Sequence, residues 1–249
     1  MNELTGTGMG CAHLHLGDPG EASEAAAELE ELGYTALWIP DVGGDVFGTI
    51  ERLLQATRSV TATTGVLNLW LHSAEETANA HARLTRTHGD RFLVGIGVSN
   101  ADLVDAMTEP GRYRKPLASM AAYLDALDSA PTPLPRRATV LGAISPKMLE
   151  IARTRTAGVH SFNVTPGLTA LAREALGPSA LLLPQQMVVV TTDSDEAHAI
   201  ARETLGYYLQ LSNYNTNLRR VGFGDDDFAD GGSNRVLDAL VAWGSPEDI

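Results

Sequence analysis

The chain has 249 residues, and its 18 Lys and Arg against 31 Asp and Glu give a formal charge of −13. This charge argues against a nucleic-acid or anionic-membrane surface, because both need clustered cations. No apolar run approaches the ~20 residues of a membrane span. The single cysteine, Cys11, excludes an internal disulfide and a cysteine-based zinc site. We therefore expect one cytoplasmic domain over residues 1–249, without nucleic-acid or membrane partners.

Short apolar segments alternate with helical patterns along most of the chain. Helix starts are signalled by Asp18-Pro19, Ser73-x-x-Glu76, Ser145-Pro146 and Thr165-Pro166. Seven alternations in one direction predict right-handed βαβ units, in either a barrel or a doubly wound open sheet. The seven predicted strands are Gly10–Leu16, Thr35–Ile39, Thr61–Leu69, Phe92–Val98, Ala138–Ile144, Val159–Val164 and Met187–Thr191.

The alternation stops after Thr191. We predict a helix that begins near Asp193 and ends near Leu211, followed by polar and acidic segments. An apolar run at Val236–Trp243 comes last, and no segment in this region has a convincing strand pattern.

Two histidines lie on the first predicted strand. Period-two alternation places His13 and His15 on one face and two leucines on the other. Three roles stay open: hydrogen-bonded interior histidines, a substrate-facing His15, or the start of a metal site like that of amidohydrolases. The metal role needs a downstream lysine, and neither Lys115 nor Lys147 lies in a predicted strand, so we predict no metal.

The ends of the other predicted strands carry further candidates, because functional groups in parallel barrels gather there. Asp41 can orient a ligand, act as a base or simply anchor its loop. Gly65 inside a strand indicates a bulge or a close ligand, and Asn68 offers a donor and an acceptor. Gly97 could let a flat ring lie against the backbone, and His160 lies on the sixth strand.

Three segments, GYTALWIPD, VTATTGVLNLW and HGDRFLVGIGVSN, resemble motifs of the luciferase-like monooxygenase superfamily. The resemblance is to its deazaflavin (coenzyme F420)-dependent oxidoreductases of actinobacterial type, and it covers almost all of the chain from Gly10. The fitting residues are Glu31, Gly33, Tyr34, Trp38 and Asp41, then Thr64, Gly65, Val66 and Asn68, then Asp90, Arg91, Phe92, Gly95 and Gly97.

The resemblance implies an α/β fold, a TIM-like (β/α)8 barrel with the cofactor ring at the carboxyl ends of the strands. The final strand and helix of that barrel are missing from this sequence. It also implies a non-proline cis peptide at Gly65–Val66 against the ring, with Asp41 near the ring. The ribityl-phosphate arm would meet the backbone of three residues: Gly142, Ala143 and Ser145.

By this resemblance the chain is an oxidoreductase that transfers hydride between F420 and an unidentified small organic substrate. Asp41 and Asn68 would bind the polar edge of the ring, and His15 or His160 would donate a proton. Val42 and Asn100 replace a His and a Glu of the sugar-phosphate dehydrogenases, so that chemistry is not carried over.

Two alternatives are an FMN-dependent monooxygenase and a non-catalytic flavin-binding protein of the same fold. We also expect a homodimer, because an open sheet edge invites association.

Overall fold

The computed structural model describes residues 4–249, and their contacts divide into two compact units. The first unit contains residues 4–142 and 151–160, and the second contains residues 143–150 and 161–249. No helix within the described residues is both long and apolar enough to cross a membrane. The expectation of a single domain stays a prediction.

Ten strands are described. They are β1 (Gly8–Gly10), β2 (Ala36–Ile39), β3 (Thr61–Thr64), β4 (Leu67–Asn68), β5 (Phe92–Gly97), β6 (Thr139–Gly142), β7 (Gly158–Ser161), β8 (Leu181–Pro184), β9 (Met187–Val190) and β10 (Val241–Gly244).

The α-helices follow the same alternation in the first half of the chain. They are α1 (His13–Leu16), α2 (Pro19–Glu31), α3 (Val46–Ala56), α4 (Ala74–His88), α5 (Ala101–Met107), α6 (Pro116–Asp128), α7 (Pro146–Arg155), α8 (Pro166–Leu176), α9 (Ser194–Gln210), α10 (Ser212–Arg219), α11 (Asp225–Phe228) and α12 (Asn234–Leu240).

The first unit is built on a parallel sheet in the order β1-β2-β3-β5-β6-β7, with β4 also paired to β5. Apart from the exposed edge strand β1, its strands are largely buried on both faces, and every residue of β5 is buried. This confirms the parallel α/β sheet that the apolar segments predicted. Consecutive strands therefore end at one edge, where site residues are expected.

A helix begins at each of the four predicted starts, and capping hydrogen bonds are shown for three of them. The Asp18 side chain accepts from two main-chain amides at the start of α2. The Ser73 side chain accepts from the Glu76 amide in α4, and the Thr165 side chain accepts from the Leu168 amide in α8. Helices α3 and α5 were missed, although Asp45 and Asn100 cap them.

The prediction of a first strand at Gly10–Leu16 is wrong, because His13–Leu16 forms the short helix α1. The amides of His15 and Leu16 both donate to Ala12 O, which closes a helical turn instead of extending a ladder. The strand that pairs with β2 lies earlier, at Gly8–Gly10. His13 and His15 therefore do not share a strand face.

The second unit also departs from the predicted pattern. Strand β9 pairs with β10 in a separate two-stranded parallel sheet, so the prediction of no strand after Thr191 is wrong. Strand β8 was missed, and the polar SNYNTN segment lies in α10. These elements surround an apolar cluster that includes Val164, Leu168, Val189, Leu205, Leu209, Leu218, Phe228, Val236, Leu237 and Leu240.

Candidate functional site

The third strand of the first unit is interrupted between β3 and β4. Before the break Thr63 pairs with Leu93, 30 residues later in the chain; after it Asn68 pairs with Gly97, only 29 residues later. The third strand therefore has one extra residue in the break. This is a β-bulge. The peptide bond Gly65–Val66 within it is cis, which confirms the expectation from the family resemblance.

Four residues at the finishing ends of the strands lie on one face of this sheet. Asn68 pairs with Gly97, and Gly142 pairs with His160. Because a Cβ at Gly142 would lie 3.6 Å from Gly97 Cα, the two pairs are neighbours. The structure thus brings together four residues that the sequence placed on four different strands.

The side chain of Val66, which belongs to the bulge, covers Gly97 and Gly142. A Cβ at Gly97 would overlap Val66 Cγ2, and one at Gly142 would lie 3.1 Å from the same atom. The glycines therefore make room for Val66. A flat ring on this face would contact Val66 rather than the backbone of Gly97.

A stacked pair of rings lies beside the bulge. Trp38 and His160 are parallel to within 19°, with centroids 4.1 Å apart. A Cβ at Gly65 would lie 3.3 Å from Trp38 Cε3 and 3.6 Å from His160 Nε2. His160 therefore lies against the bulge, and its role as a proton donor stays a prediction. The sequence analysis gives Trp38 only as a motif residue. Its position near the end of β2 is the signal that could have identified it as a site residue.

Asp41 follows β2 and is joined to the bulge by a hydrogen bond. Its side chain is 1% exposed, and Oδ2 accepts from the main-chain amide of Asn68 at 2.8 Å. The same oxygen lies 3.3 Å from Nε2 of His72, a residue that the sequence analysis missed. The hydrogen bond to Asp41 raises the pKa of His72, although burial lowers it.

The side chain of Asn68 is oriented by its own loop. Its Oδ1 accepts from the Trp70 amide at 3.0 Å, and the Trp70 indole donates to Val98 O at 2.8 Å. Within residues 4–249 neither Asn68 Nδ2 nor Asp41 Oδ1 has a hydrogen-bond partner. The site therefore presents a fixed amide donor beside a carboxylate oxygen that can still accept.

His15 lies on α1, and both of its ring nitrogens are engaged. Nδ1 lies 2.9 Å from Thr49 Oγ1, and Nε2 bonds the Gly43 carbonyl. The ring thus ties α1 to the loop that carries Asp41. The metal hypothesis depended on a strand that the structure does not contain, and His13 is exposed.

The remaining predicted site residues belong to the second unit. Ala143 is buried, and the Ser145 carbonyl accepts from the Leu149 amide at the start of α7. Farther along this unit, Ser161 Oγ and Asn163 Nδ2 are buried without a hydrogen-bond partner among the described residues. The contribution of Ala143 and Ser145 to a cofactor site stays a prediction.

Comparison with known proteins gives one family match over nearly the whole chain. The model of the luciferase-like monooxygenase family matches residues 4–249. A curated relative, 5,10-methylenetetrahydromethanopterin reductase of Methanolobus tindarius, is 32% identical over 80 residues. That match covers 31% of this chain and only 24% of the relative's length.

Solved structures match over the whole fold at low identity. The coenzyme F420-dependent tetrahydromethanopterin reductase of Methanopyrus kandleri has a TM-score of 0.76 and 15% identity, over 97% of this chain and 87% of that chain. The FMN complex of the oxygenating constituent of 3,6-diketocamphane monooxygenase from Pseudomonas putida has a TM-score of 0.63 and 12% identity, over 97% and 85%. Together with the strand order, these matches confirm the TIM-like barrel fold of the luciferase-like type, and residues 4–249 do not contribute its final strand.

Proposed function

The chain belongs to the luciferase-like monooxygenase family, and on this premise we propose that this oxidoreductase transfers hydride between coenzyme F420 and a small organic substrate. The observation that carries the proposal is the pairing of Asp41 and Asn68 beside the bulge. The similarity to proteins named as F420-dependent supports the choice of cofactor.

The residues present fit the polar edge of a deazaflavin ring, which carries carbonyl acceptors and a ring N–H donor. Asn68 Nδ2 would donate to a carbonyl, and Asp41 Oδ1 would accept from the N–H. Val66 supplies the apolar bed that a flat ring needs, since its side chain covers the adjacent glycines. We also propose that the backbone of Gly142, Ala143 and Ser145 meets the ribityl-phosphate arm.

When bound, the deazaflavin ring supplies the hydride carrier. The protein would hold the ring and place a proton donor near the substrate. His160 is the better of the two predicted donors, because its ring lies against the bulge. Donation from His15 would require one of its two hydrogen bonds to break.

An FMN-dependent monooxygenase is the second candidate, and the FMN complex among the similar structures favours it. The ring edge of FMN offers the same carbonyl and N–H groups as F420, so Asp41 and Asn68 would serve either cofactor. A non-catalytic flavin-binding protein would keep this site and lack turnover.

The deciding experiment is to titrate the purified protein with F420 and FMN separately and measure both dissociation constants. We expect F420 to bind more tightly. Asn68→Ala should weaken its binding about 3- to 10-fold through loss of one hydrogen bond. Asn79→Ala, an exposed asparagine on α4, is the matched control.

Tighter FMN binding with rapid oxygen consumption by the reduced complex would favour the monooxygenase. Binding of F420 without hydride transfer to a broad set of acceptors would favour the non-catalytic protein. If neither cofactor binds the wild-type protein, the proposed function is wrong.

We further propose a homodimer. Each strand of the β9–β10 sheet pairs on one side only within the described residues, and unpaired strand edges favour association. Light scattering on the purified protein tests this, and a monomeric mass at micromolar concentration would contradict it.

A further inference from the structure

The carboxylate of Asp41 is almost completely buried, and a buried charge must be compensated. Moving an ionised carboxylate out of water is costly unless it is paired and hydrogen-bonded. In this structure the Asn68 amide and the His72 ring supply that compensation, and both act on Oδ2. His72 is the one side chain with an ionisable group that forms an ion pair or hydrogen bond with Asp41 within residues 4–249.

The surroundings of His72 favour its protonated form. Asp41 lies 3.3 Å from Nε2, and Glu76 on α4 lies 3.4 Å from Nδ1. Phe47 on α3 packs edge-on against the ring at 5.4 Å. The nearby hydroxyl of Tyr123 on α6 is neutral at physiological pH, because burial raises its pKa to about 12. The imidazole ring of His72 thus has Asp41 and Glu76 at its two nitrogens and the apolar ring of Phe47 against it.

We propose that His72 is a positioning residue, whose ring binds Oδ2 and fixes the rotamer of Asp41, so that Oδ1 is held available to the cofactor. This inference rests on the proposed function, in which Asp41 accepts from the cofactor ring. His72 itself acts through Asp41 and does not need to touch the ring.

The proposal makes cofactor affinity depend on pH with a defined sign. The pKa of His72 in the folded protein is raised, so the ring stays charged below that pKa and loses its charge above it. Affinity should therefore be greatest at lower pH and fall as the pH rises through the pKa of His72. Glu76 is half-exposed and should contribute less than Asp41.

The first measurement needs no cofactor. Titration of the histidine rings by NMR in the wild-type protein should show His72 with a pKa above 6.5, and Asp41→Asn should lower that pKa. A pKa of His72 that does not change in Asp41→Asn would overturn the proposal, because the two groups would not interact.

The second measurement is the dissociation constant of F420 as a function of pH for wild type and His72→Gln. We expect His72→Gln to bind about tenfold more weakly at low pH, the size of a hydrogen bond to a charged group, and to lose the pH step. His13→Gln, which changes an exposed histidine, should keep both affinity and pH profile.

The outcomes separate the two proposals. If wild type binds F420 and His72→Gln binds it equally well with the same pH profile, the role of His72 is wrong and the proposed function stands. If wild type binds neither F420 nor FMN, the proposed function fails, and this role of His72 fails with it. If His72→Gln does not fold, the NMR titration of Asp41→Asn decides.

Discussion

Polar and charged side chains make different hydrogen bonds at the two ends of the parallel sheet in the first unit. Where the strands begin, Glu30 accepts hydrogen bonds from the main-chain amides of three successive residues, Arg58 to Val60. Arg91 likewise donates to the main-chain carbonyls of four residues. Where the strands finish, Asp41 and Asn68 keep a free acceptor and a free donor within the described residues.

The difference separates residues that stabilise the fold from residues that can bind a ligand. A charged group whose hydrogen bonds go mainly to the main chain, as those of Glu30 and Arg91 do, fixes the ends of strands and helices. A buried polar group with remaining capacity must meet water or a ligand. We expect changes at the starting end to lower stability without changing cofactor affinity, and some changes at the finishing end to change affinity.

The largest expected effect is that of Arg91→Met at the starting end. The substitution leaves the carbonyls of Leu54 and Thr57 without their guanidinium donor. Unfolding in urea should show a loss of about 3–4 kcal/mol, while F420 affinity of the folded protein stays unchanged. Arg86→Met, at an exposed position on α4, is the control. A change in affinity as large as the change in stability would break the comparison.

Glu30→Gln should cost somewhat less, and its effect should depend on pH. Burial raises the pKa of Glu30, but the hydrogen bonds from Arg58, Ser59 and Val60 outweigh it and lower the pKa to about 2. The stabilisation, up to about 3 kcal/mol, is present above the unfolded pKa of 4.5 and is lost as the pH falls towards 2. Denaturation curves of wild type and variant should converge near pH 2. A constant difference from pH 7 to pH 2 would contradict the assignment.

At the finishing end, Gly97→Ala should destabilise the protein by about 1–3 kcal/mol, because the new methyl group overlaps Val66. Combining it with Val66→Ala should remove most of this cost, and the double-mutant cycle measures the coupling. Gly224→Ala, where a Cβ meets nothing within 4 Å, is the control. Additive costs for the two substitutions would show that Val66 does not cover Gly97.

The last comparison is between two neighbouring buried threonines on β3, of which Thr63 should give the smallest effect of all. Thr64 Oγ1 accepts from the Gly95 amide and donates to its carbonyl, so Thr64→Val should cost about 1–3 kcal/mol. Thr63 Oγ1 has no partner among the described residues, so Thr63→Val should change stability by about zero. If Thr63→Val instead weakens cofactor binding, its hydroxyl belongs to the site.

Most of the first unit could be predicted from the sequence, because its signals are local. Strand β5 is a continuous apolar run, and the caps at Asp18 and Ser73 are short-range hydrogen bonds. Asp41 and Asn68 were found from their positions after strands. The cis bond at Gly65–Val66 came from the family resemblance, since no local pattern requires it.

The remaining features depend on contacts that are distant in sequence. His72 matters through Asp41, which lies 31 residues earlier, and no spacing rule joins the two. The segment at His13–Leu16 alternates like a strand, yet a helical turn brings His15 to Thr49 and Gly43. Strand β10 follows directly after α12, so no turn signal marked its start.

The additional residue in the third strand decides which way the later side chains of that strand point. Thr63 has an odd residue number and Asn68 an even one, so a regular strand would point them to opposite faces. Their partners Leu93 and Gly97 nevertheless share a face of β5. In an unbroken strand Asn68 would take the opposite face, that of Phe92, which packs against Phe47 on α3. A deletion of one residue between β3 and β4 would therefore remove the bulge and keep Asn68 opposite Gly97, with its amide still on the ligand side. Only an unbroken strand of the present length, with Asn68 opposite Val98, would turn the amide to the helix side.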